Sequence, residues 1–212
     1  VRDLIDDHLE SLGVDQVLPP VSLTSADFQE KVAAMASPRT RASEMEHAIR
    51  HHIDVHFGED PARYRRLSER LEQILADHKG NWEQQALFLG ELIEEIKTHD
   101  SERTGSDSSL NRVEEALYSV VLENTATDGV VSAEQGQRIA DFSRRLYALS
   151  ATTSTRVDFW RKPVDWEEFK GDVTALLIDG GFCLDDQAMT LADALFDVIK
   201  ANRSRILRPD VG

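Results

Sequence analysis

The chain carries seven histidines, and four of them fall between His47 and His56. His47 and His51 lie four residues apart, and so do His52 and His56. Imidazoles at that spacing share a helix face and can hold one divalent metal between them. Projection onto a helical wheel separates the pairs. Met45, Ile49, Ile53 and Phe57 form the apolar stripe. His52 and His56 fall at its edge, and His47 and His51 lie nearly opposite. The local strings are HAIRH and HIDVH, so the HExxH arrangement of a zinc hydrolase is not present. A metal centre would need carboxylates from another helix. The balance favours His52 and His56 hydrogen-bonding at a helix interface, with His47 and His51 in water. A His-rich metal-binding helical protein remains an alternative.

Arginines form the second cluster. Arg63, Arg66 and Arg70 project to one side of a helical pattern, away from Tyr64 and Leu71. Arg66 and Arg70 are like charges at i,i+4, which costs a few tenths of a kcal/mol on an isolated helix. Pairing with a nearby acid such as Asp77 would offset that, and so would a partner surface. With His47 and His51, these three arginines make up the candidate docking face. A duplex backbone is the less favoured occupant.

Other chemistry-like strings are weaker. NTATDGVVSAEQ, from Asn124 to Gln135, has the Asp128-Gly129 turn of a calcium loop. However, Ala126 stands where an oxygen ligand is needed, and Gln135 stands where a bidentate Glu should close the loop. Glu95-Ile96-Lys97 and Glu168-Phe169-Lys170 match a nuclease E-x-K fragment, but both sit on helical patterns. There is no phosphate loop, nucleophile elbow or kinase set. Cys183 lies between Phe182 and Leu184, which suits burial better than nucleophilic attack. No catalytic, cofactor or metal residue is assigned.

The elements that must position these residues read as helices throughout. Leu4, Ile5, Leu9 and Leu12 recur at helical spacing up to Gly13, and Leu18 to Val21 is extended. Ser25 can cap a helix with Phe28, Val32 and Met35 on one face. Ser37-Pro38 and Asp60-Pro61 open the two long helices, with Gly58 and Gly80 as stops. Asn81 with Gln84, Ser132 with Gln135, and Asp165 with Glu168 have capping-box spacing. Trp82, Leu89, Leu92, Ile93 and Ile96 share a face. So do Val113, Leu117 and Val120, then Ile139, Phe142 and Leu146, then Phe169, Val173 and Leu177, and finally Leu191, Leu195 and Ile199. Arg156 to Trp160 reads as a short extended piece, not a sheet. The expectation is an all-α, irregular multi-helix bundle of about eight or nine helices without a substantial sheet. It is a single domain over 1–212, divisible into sub-bundles 1–98 and 110–212 joined by a polar linker, 99–109.

Bulk properties limit the function classes. The chain has 24 Lys and Arg against 39 Asp and Glu, a net charge of −15. That balance opposes wrapping nucleic acid. Hydrophobic residues make up 41% of the chain, enough for a packed core. No stretch approaches the roughly 20 apolar residues of a membrane span. The single cysteine excludes an internal disulfide. The expected location is the cytoplasm. A start at Val1 leads us to expect a piece of a longer polypeptide.

The string RASEMEHAIRHHIDVHFGEDPARYRRLSERLEQIL resembles the C-terminal region of the restriction subunit of type I restriction-modification enzymes. NWEQ at Asn81 to Gln84, VDFWRKP at Val157 to Pro163 and the opening LIDDHLESLGVD share that resemblance. It covers nearly the whole chain in order, and Leu110 to Ser154 is its least distinctive part. The resemblance implies a parent subunit with a nuclease domain and an ATP-driven DNA-translocating motor, using ATP and Mg. It implies that this helical region attaches the motor to the modification and specificity subunits. None of the parent's nuclease or ATPase motifs occurs here, so no catalytic residue carries over.

Overall fold

The structure, a computed structural model, describes residues 23, 25–102, 110–125, 132–183 and 185–208. The expected N-terminal helix around Leu4 to Leu12 and the extended Leu18 to Val21 lie outside these residues. Among the described residues there are nine α-helices, one 3-10 turn and no strand. The helices are α1 (Ala26–Ala34), α2 (Pro38–His56), α3 (Pro61–Asp77), α4 (Trp82–Glu102) and α5 (Arg112–Thr125). They continue with α6 (Ala133–Ser154), α7 (Pro163–Asp179), α8 (Asp185–Ala201) and α9 (Arg203–Leu207), and the 3-10 turn is Phe159–Arg161. The all-α expectation therefore holds.

The chain forms two compact units, and the division falls inside α2 and α3. One unit takes the chain up to residue 54 together with 71–97, and the other takes 55–70 with the chain from 98 onward. In the first unit, Phe28 and Val32 of α1 are buried, as are Ala48, Ile49 and Ile53 of α2. Leu71 of α3 and Leu89, Leu92, Ile93 and Ile96 of α4 are buried too. The i, i+3, i+4 spacing of the α4 set puts all four on one stripe. Each such side chain contributes about 1.5–3 kcal/mol when removed from water. Gln85 is buried and donates to the Leu75 carbonyl at 3.2 Å, meeting one of the open acceptors at the end of α3.

The second unit has the larger apolar core. Val113, Leu117, Val120 and Val121 of α5 join Ile139, Phe142 and Leu146 of α6. Phe169, Val173 and Leu177 of α7 and Leu191, Leu195, Phe196 and Ile199 of α8 complete it. In this unit α5 packs against α6 and α8, α7 packs against α8, and α9 packs against α6 and α8. Ser143 and Ser150 are buried within α6 and bond back to the carbonyls of Ile139 and Leu146. Their hydroxyls therefore need no partner from another helix.

Helix ends follow the capping chemistry in part. Asp60 caps α3 through its carboxylate and the Arg63 amide, 3.1 Å away. Ser132 caps α6 through the Gln135 amide, also at 3.1 Å. Asn81 accepts from the Gln84 amide at 3.3 Å, but the Gln84 side chain does not return to Asn81. It lies 3.1 Å from His78 Nδ1, while the Asn81 amide donates to the His78 carbonyl. Only half of that capping box is made. Ser25 occupies the N-cap of α1 without a side-chain cap bond. Gly180 and Gly181 close α7 as expected. Gly181 has φ +65°, and the amides of Gly181 and Phe182 return to the carbonyls of Ile178 and Leu177. That pairing is the Schellman arrangement, which a left-handed residue makes possible.

Three expectations are corrected. Arg156 to Trp160 is not extended. It is a turn leading into the 3-10 turn, with Asp158 left-handed at φ 62°. The alternating V-D-F pattern imitates a strand, but the Phe159 ring is buried by folding back onto Phe169 and Trp160. Asp165 does not cap α7, because that helix already starts at Pro163 with Lys162 as N-cap. Proline at the first position is preset for the helix and needs no donor there. Finally, α4 continues through residues assigned to the polar linker, as far as Glu102. Residues 103–109 lie outside the described set.

Candidate functional site

The histidines of α2 divide as the wheel projection indicates. His47 and His51 are exposed, and His52 is buried. His56 is half-buried. Its Nδ1 lies 3.3 Å from Glu59 Oε2 and its ring is stacked 6.1 Å from that of Tyr64. Phe57, expected on the apolar stripe, is 41% exposed because α2 has ended at His56. Among the described residues no three His, Cys, Asp or Glu side chains converge as a metal site requires. On the solvated side, Arg50 bonds Glu46 at 3.0 Å and Glu72 at 2.7 Å. These contacts raise its pKa, the Glu72 hydrogen bond most of all.

The arginine cluster does not form one exposed face. Arg66 and Arg70 are exposed, but Arg63 is only 9% exposed and its guanidinium covers the Tyr64 ring at 5.3 Å. The expectation that Arg63 points away from Tyr64 is therefore corrected. Arg63 lies in the first turn of α3, where the capped helix start is buried with Asp60. Arg65 is exposed at the same helix and was not singled out by spacing. Arg65 and Arg66 approach Glu123 at 2.7 and 3.6 Å. Asp77, the partner suggested by spacing, accepts from Gln73 at 2.8 Å. His47 and His51 belong to one compact unit and Arg63, Arg66 and Arg70 to the other.

Glu59, just before Asp60-Pro61, is the centre of a charge network. Arg205 Nη1 lies 2.9 Å from its carboxylate and Arg112 Nη2 lies 3.7 Å away. Asn202, 1% exposed, donates to the Glu59 carbonyl and to the Val198 carbonyl, each at 2.9 Å. Its own oxygen accepts from Arg205. The Cα of Gly58 approaches Ala201 so closely that an added Cβ would sit 3.4 Å from the Ala201 Cβ. This network closes the turn between α2 and α3 onto the end of α8. It neutralises charge and fills space. The only sequence signal for it was a cap-type residue, Asn202, at the end of an apolar helix.

The remaining candidates are also committed to structure. Asn124 and Thr125, which would begin a calcium loop, bond back to the Val120 and Val121 carbonyls. Residues 126–131 of that loop lie outside the described set. Lys170 of the E-x-K string pairs with Glu167 at 2.6 Å and Asp193 at 3.0 Å, not with Glu168. Those carboxylates raise its pKa, Glu167 most, which makes it a firmer cation and a poorer base. Cys183 is half-buried against the second unit's core. In the first unit an open groove of about 440 Å³ lies between the starts of α2 and α4, with Arg39 5.4 Å above the Trp82 ring. No described helix is long and apolar enough to cross a membrane.

No curated protein and no solved structure matches the chain. A sequence family described as "Type I restriction enzyme HindI endonuclease subunit-like, C-terminal" matches residues 1–200. With that match running over residues 1–200 of the 212, the protein belongs to this family of C-terminal regions of type I restriction endonuclease subunits.

Proposed function

We propose that this chain is an assembly domain of a type I restriction enzyme. It would dock the endonuclease and motor subunit onto the modification and specificity subunits, and would not carry chemistry itself. The parent would be an ATP- and Mg-dependent DNA translocase and nuclease. DNA would then be met through the assembled complex. The family match over residues 1–200, to the C-terminal region of an endonuclease subunit, carries the reading. The fate of the reactive side chains supports it. Glu59, Asp60 and Lys170 are used in caps and ion pairs, and Arg63 covers a tyrosine ring. The net charge of −15 also favours a protein partner over a polyphosphate.

The test is co-purification of the 212-residue chain with the cognate modification and specificity subunits. Stable co-elution is expected, with no ATPase or nuclease activity from the chain alone. A chain with a verified helical spectrum that does not co-elute would remove the docking role. The competing reading, direct contact with a DNA backbone through α3, predicts salt-sensitive duplex binding that weakens in Arg66→Glu and Arg70→Glu. The ion pairs of Arg65 and Arg66 with Glu123 count against it.

A further inference from the structure

We draw no further inference here: the strongest candidate, the open groove between the starts of α2 and α4 where Arg39 lies over the exposed Trp82 ring, carries none, because nothing in the structure shows what covers it.

Discussion

The stretch from His47 to Arg70 and the stretch from Arg156 to Val164 invert what their compositions suggest. The first is rich in imidazole and guanidinium, the groups from which metal sites and phosphate clamps are made. Many of those groups are already committed inside the molecule. His56 and Glu59 face each other, Arg63 covers Tyr64, and Arg65 and Arg66 share Glu123. The second stretch has ordinary residues and no catalytic type at its centre. Its valines and cations are nonetheless exposed on a fixed aromatic base. Reactive residue types mark where chemistry could occur. Packing and pairing decide whether they remain available for it.

The comparison can be broken first at the base of the second stretch. Phe159→Ala removes a buried ring from contact with Phe169 and Trp160 and is expected to cost about 3–5 kcal/mol. Urea unfolding followed by circular dichroism would measure the shift in midpoint. A loss below 1 kcal/mol would show that the aromatic base does not hold the segment, and the fixed presentation of Val157 would fall with it.

The network in the first stretch should respond less. Glu59→Gln keeps the shape but leaves Arg205 and Arg112 facing a neutral amide. The expected loss is about 1–2 kcal/mol, since the carboxylate is only 22% exposed. Arg205→Gln made together with it should cost less than the sum of the two single changes, because both remove one interaction. Full additivity in a double-mutant cycle would show that the pair is not coupled and that the turn is held by packing alone.

Such networks explain which parts of the structure were legible in the sequence. Helix cores were legible, because periodicity is local. Leu89, Leu92, Ile93 and Ile96 share a stripe by spacing and are all buried. Caps were legible where one residue does the work, as with Asp60 and Ser132. The capping box of Asn111 was not read, because the apolar pattern opens at Leu110, one residue before it. There the side chain accepts from the Glu114 amide while Glu114 Oε2 takes the Asn111 amide at 2.7 Å. Contacts between distant residues could not be read from spacing at all. Asn202 and Glu59 lie 143 positions apart, and only the fold brings them together. The burial of Arg63 was hidden for a related reason. A wheel projection gives the direction around a helix and not the depth along it, and the capped first turn of α3 is the buried end.

The smallest expected effect is the sharpest test of the first stretch. His47 and His51 are exposed on α2, and nothing in their surroundings requires an imidazole. Replacing both with Ala removes no buried contact, and alanine is the better helix former. The change in stability should stay within about 0.5 kcal/mol, in either direction. Binding to the modification and specificity core is expected to stay within roughly twofold of wild type. The decisive measurement pairs unfolding with binding for the same double variant. A stability loss well above that range would reveal a structural partner for these imidazoles. A loss of binding alone would return the docking face to α2.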